Sequence, residues 1–95
     1  MHNSNDNVNP AYYDKYAVSP IDLIDSYNLN FALGSAIKYV ARSKEKNGVE
    51  DLIKAIWYIL HDIGFTSEQC KEYTKKIQED LKRIEESEGV MPAYE

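Results

Sequence analysis

Ninety-five residues with 43% hydrophobic side chains and a net charge of −5 bound the chain to one small domain. That charge excludes the broad basic face an extended nucleic-acid duplex requires. The single cysteine, Cys70, excludes an intramolecular disulfide and fits a reducing cytosol, while no apolar run approaches the roughly 18 residues of a membrane span and no leader segment is recognisable.

The charge is uneven. Residues 1–33 and 67–95 each carry −3, whereas residues 34–66 carry +1, because Lys38, Arg42, Lys44 and Lys46 crowd into nine positions. Eight tyrosines are many for this length, and tyrosine suits interfaces and ligand pockets because one end is apolar and the other polar.

Taken in chain order, residues 1–9 are polar and Asn-rich and read as a disordered lead-in. An arm follows, NPAYYDKYAVSP, whose Tyr12 and Tyr13 either line a pocket or close over the core. Ser19 as a cap, Pro20 at the first helical position and Asp22 in the first turn predict a helix over 20–27. Asn30 caps a second predicted helix over 31–43, with Phe31, Leu33, Ala36, Ile37, Val40 and Ala41 as its apolar positions. Gly34 lies inside it at a cost of ~1 kcal/mol relative to Ala, which points to close approach by another helix or a ligand.

KEKNG breaks that helix. A third runs from Val49 to Ile63, apolar over a broad face, which predicts the central helix; Gly64 stops it. Thr66 and Gln69 form a capping box for a fourth helix reaching about Ser87. Its apolar positions, Cys70, Tyr73, Ile77, Leu81 and Ile84, make a narrow seam that packs on its own domain or pairs with another chain. Residues 89–95 form a tail. The expected fold is therefore all-α: a compact bundle of three or four helices, with an extended N-terminal arm, a helical domain over 10–65, an oligomerisation helix over 66–88, and a homo-oligomeric state.

Three groups of residues bear on chemistry. Lys38 and Arg42 lie one turn apart on one helix face, with Lys46 extending the line and Tyr39 beside it. They suit phosphate oxygens and a stacked base, or else form a solvated face that balances Glu45, Glu50 and Asp51. Glu50 and Asp51 suit a divalent cation or a general base, or else favour the positive end of their helix, with Glu50 paired to Lys54 four residues on. His61 has no partner at ligand spacing, Cys70 reads as a small buried apolar group, and no phosphate-binding GxxxxGK[ST] loop is present.

The blocks NPAYY, IDLID, GSAIKYVAR and VEDLIKAIWYI, in that order, resemble the SaV-like family of small phage proteins over about residues 9–60. Tyr12 stands where that family has His, Ser35 where it has Asn, and Lys44 where it often has Gly. Some members are described as nucleotide kinases acting on deoxynucleoside monophosphates. The resemblance implies a phage origin, hence the host cytoplasm, and a nucleotide-sized anionic ligand. For a nucleotide or other small phosphorylated ligand, Lys38, Arg42 and Lys46 are the candidates to grip phosphate, and Tyr12, Tyr13 or Tyr39 to stack on or hydrogen-bond the base. The expected role is sequestration of a nucleotide or nucleotide-derived defence signal, without a cofactor. The alternatives are a nucleotide kinase, which would use Mg with Glu50 or Asp51, and a helical module that blocks a host protein.

Overall fold

A computed structural model describes residues 17–45 and 47–88. The lead-in over 1–9, the rest of the arm to residue 16, Lys46 and the tail over 89–95 lie outside the described residues. Those described form four helices and no strand: α1 (Pro20–Tyr27), α2 (Phe31–Arg42), α3 (Val49–Ile63) and α4 (Ser67–Glu88).

Local chemistry accounts for the boundaries. The Asp22 N–H donates to Ser19 Oγ at 3.2 Å and Pro20 opens α1; Asn28, with φ 54° and ψ 48°, closes it in the left-handed region that Asn tolerates. The Leu33 N–H donates to Asn30 Oδ1 at 2.8 Å at the start of α2. At α4 both halves of the capping box form: the Gln69 N–H donates to Thr66 Oγ1 at 3.1 Å, and the Thr66 N–H to Gln69 Oε1 at 2.9 Å. Gly64, at φ 132°, ends α3 in a backbone conformation that other residues avoid.

The helices pack in sequence order. Among the described residues α2 touches α1 and α3, α3 touches α2 and α4, and α2 makes no contact with α4. The expected helices are thus present, but they line up as an open array rather than closing into a compact bundle. Among the described residues α4 meets neither α2 nor α1, so nothing closes the row.

An open array buries little. The buried apolar side chains among the described residues are Pro20, Ala36, Ile53, Ala55 and Cys70, and of these Cys70 alone is 0% exposed. Phe31 and Val40, counted above on the apolar face of α2, are exposed, at 80% and 48%. Gly34 faces α1: a Cβ built there would stand 3.3 Å from Ile24 Cγ2. The small residue therefore lets α1 lie against α2.

Candidate functional site

The site is set by the register of α2 against α3. A short turn joins them, with the Gly48 N–H donating to Ser43 O at 2.9 Å, so the two helices run antiparallel. At the far end, Asn30 Nδ2 donates to Asp62 Oδ1 at 2.7 Å, tying the start of α2 to the end of α3. Residues moving back from Arg42 therefore meet residues moving forward from Asp51. Tyr39 lies three before Arg42, and Lys54 lies three after Asp51.

Asp51 is the buried polar centre. Its side chain is 0% exposed, and its Oδ2 accepts from Arg42 Nε at 3.2 Å and from the Asn47 N–H at 3.4 Å. The second bond reaches one residue past the N-cap Gly48, which offers no side-chain cap, and so ties the α2–α3 turn to the first turn of α3. Asp51 Oδ1 is buried without a hydrogen-bond partner. A buried, half-satisfied carboxylate is costly unless its charge is compensated, so Asp51 holds Arg42 firmly.

Arg42 remains 39% exposed. Because Nε makes the bond to Asp51, the planar guanidinium is fixed while its two terminal nitrogens, unpaired among the described residues, remain available as donors. Its Cζ lies 5.6 Å from the centre of the Tyr39 ring, and Lys54 Nζ lies 5.5 Å from the same ring. Both separations fall within cation–π reach.

Around Tyr39 the aromatics are continuous. Tyr58 stacks on Tyr39 with ring centres 5.9 Å apart and planes 15° apart. Phe31 meets Tyr58 edge-on at 6.0 Å, Trp57 meets it edge-on at 5.2 Å, and His61 stacks on Trp57 at 5.3 Å. An open hollow of about 270 Å³ is lined by Tyr39, Lys54, Trp57 and Tyr58. Rings supply flat stacking faces and the cations supply anion affinity, which is the chemistry an aromatic phosphate ester needs.

The sequence-derived candidates are distributed as follows. Tyr39 and Arg42 come together. Lys38 is exposed one turn from Arg42 and has no ion-pair partner among the described residues. Glu50 and Asp51, adjacent in sequence, separate: Glu50 is exposed and Asp51 is buried under Arg42. No group of three His, Cys, Asp or Glu side chains converges among the described residues. Tyr12, Tyr13 and Lys46 lie outside the described residues.

Lys54, Trp57 and Tyr58 complete the hollow and were not among the candidates. Lys54 lies in the family-like block VEDLIKAIWYI and is expected to pair with Glu50, but no ion pair forms between them; its ammonium lies over Tyr39 instead. The signal was the spacing of Lys54 and Tyr58, four apart on α3 and directly across from Tyr39.

Residues 8–60 match the family described as a protein of unknown function, DUF3310, and the chain belongs to that family. The match spans α1, α2 and α3 as far as Leu60, and so takes in the whole Arg42–Asp51–Tyr39–Lys54 cluster; α4 lies beyond it. No curated protein and no solved structure matches the chain. Among the described residues, no helix is long and apolar enough to cross a membrane.

Proposed function

We propose that this chain binds a nucleotide, or a phosphorylated ligand of similar size, on the α2–α3 face and holds it without transforming it. The observation that carries the reading is the convergence of two cations on one tyrosine ring, Arg42 at 5.6 Å and Lys54 at 5.5 Å, beside the aromatic hollow. Arg42, anchored through Nε, offers its terminal nitrogens to phosphate oxygens, with Lys38 and Lys54 adding point charges. Tyr58 and Trp57 offer faces on which a base stacks. The resemblance of residues 9–60 to the SaV-like phage family supports the same ligand class, and a phage-borne holder of a nucleotide or nucleotide-derived defence signal is the role it suggests. Asp51 is committed to anchoring Arg42, which leaves Glu50 apart from it at the surface. That donor set favours holding over phosphoryl transfer.

The test is thermal unfolding with mono-, di-, tri- and cyclic nucleotides, and with inorganic phosphate. A bound nucleotide at 100 times its dissociation constant stabilises the fold by about 2.7 kcal/mol. Lys54→Ala and Lys38→Ala are the informative variants, because both side chains are exposed and neither holds a buried charge. Each is expected to reduce the shift while leaving the unliganded midpoint unchanged. Absence of a shift with every nucleotide, or full retention of it in the Lys38→Ala/Lys54→Ala double variant, defeats the reading. Consumption of ATP with a nucleoside monophosphate would replace holding by kinase activity.

A further inference from the structure

The other side of α3 carries a different surface. A turn at 64–66 folds α4 back along α3, so that Tyr73 and Ile77 lie beside Leu60 and Ile56. Between the two helices runs an apolar groove of about 400 Å³, formed by Ile56, Leu60, Phe65, Tyr73 and Ile77 and rimmed by Lys76 and Asp80. Cys70 and Thr74 turn fully inward, while Tyr73 and Ile84 are 46% and 45% exposed, so one shoulder of the seam is covered by α3 and the other is open. Ile59 and Ile63 add exposed apolar surface to α3.

A domain ordinarily stacks two layers around its core. The described helices form one open row with few buried apolar side chains, and no helix of that row lies over the groove. Charge then selects the occupant. The first half of α4, residues 67–77, holds three lysines and two glutamates; the second half, residues 78–88, holds five acids and two cations. Two copies aligned head to head would set the acidic halves side by side, whereas antiparallel copies set the acidic half of each on the lysine-rich half of the other. At the groove itself Lys76 and Asp80 are four residues apart and opposite in sign, which is the self-complementary pattern a twofold interface needs; Asp80 pairs through Oδ1 with Arg83 on its own helix, and its Oδ2 is the oxygen left for a second cation.

We propose that a second copy of this chain covers the α3–α4 groove, its α4 antiparallel to the first about a twofold axis near Gln78, with Lys76 of each copy against Asp80 of the other. Tyr73, Ile77 and Ile84 of the two copies then form one shared seam. The assembly is independent of the ligand face, which lies between α2 and α3.

Sedimentation equilibrium of the full chain tests this, with circular dichroism to verify folding. The wild type is expected at twice 11.0 kDa in the tens of micromolar. Ile84→Lys, at a site half-exposed in the single chain, is expected to yield the single-chain mass with helicity retained. Val40→Lys, on exposed α2 surface, is expected to leave the dimer intact. Lys76→Asp and Asp80→Lys are each expected to raise the dimer dissociation constant about tenfold, because the swapped pair occurs twice across the axis, and the double variant to restore it. A single-chain mass for the wild type up to about 200 µM overturns the proposal. So does an Ile84→Lys dimer, dissociation by Val40→Lys, or failure of the double variant to recover.

Discussion

The contact of α2 with α3 is organised around a buried charge and a run of aromatic rings, whereas that of α3 with α4 is a thin apolar seam ending in a helical cap. In the first, Asp51 fixes the position of Arg42, and the part-buried rings of Tyr39, Tyr58 and Trp57 extend outward from that anchor. In the second, Cys70 is buried, Thr74 directs its hydroxyl to Cys70 O at 2.8 Å within its own helix, and nothing polar crosses from α4 to α3 among the described residues. A buried ion pair is an inefficient source of stability but a good source of position, because removing either partner strands the other. An apolar seam has the opposite character: it contributes burial with little directional demand. The family match covers the positional contact and stops short of the seam.

The largest expected effect follows from that contrast. Arg42→Ala leaves Asp51 fully buried with an uncompensated charge and is expected to cost about 3 kcal/mol by urea denaturation. Asp51→Ala leaves only a half-exposed guanidinium that water can solvate, and is expected to cost about half as much. The double variant removes the stranded charge altogether, so it should be more stable than Arg42→Ala alone. A strictly additive double variant would mean that Asp51 is not held by Arg42.

At the seam the expected cost is smaller and of another kind. Cys70 is 0% exposed, and its thiol approaches Phe65 O only at 3.9 Å, too long to count as a strong bond. Cys70→Ser places a more demanding hydroxyl in the same space and is expected to cost about 2 kcal/mol, against about 1 kcal/mol for Cys70→Ala. Equal costs for the two would indicate that the serine hydroxyl finds a partner, and that the seam is more polar than its residues imply.

The two contacts also differ in how far they can be read in advance. The helix limits were legible because each is written locally: Ser19 with Pro20, Asn30, Gly64, and Thr66 with Gln69 are short-range devices that depend on no other part of the chain. Periodicity identifies the apolar positions of each helix but not how many of them a neighbour covers, and Phe31 and Val40, two of those positions on α2, face solvent. The anchor was harder still. Arg42 and Asp51 are nine positions apart across a turn, and the reading of cations balanced by nearby acids did not single out Asp51, of the three candidates, as the one that goes inside. Lys54 was misjudged for a related reason: its sequence neighbour Glu50 offered a plausible surface pair, while the ring it lies over, Tyr39, sits on another helix.

The smallest expected effect tests how α1 joins the row. Gly34 in mid-helix forgoes ~1 kcal/mol of helix propensity that alanine would supply. Against this, a methyl group there would stand 3.3 Å from Ile24 Cγ2, closer than comfortable contact, and Ile24 is a stiff β-branched side chain on a short helix. The two terms are similar in size and opposite in sign, so Gly34→Ala is expected to change global stability by less than about 0.5 kcal/mol. Gly34→Ile has no such compensation: the larger group cannot fit without displacing Ile24, and α1 is expected to detach from α2. Amide hydrogen exchange would register this as loss of protection confined to residues 20–27 while α3 stays protected. A stability gain near 1 kcal/mol from Gly34→Ala would show that α1 yields without cost, and that the glycine is not there to admit it.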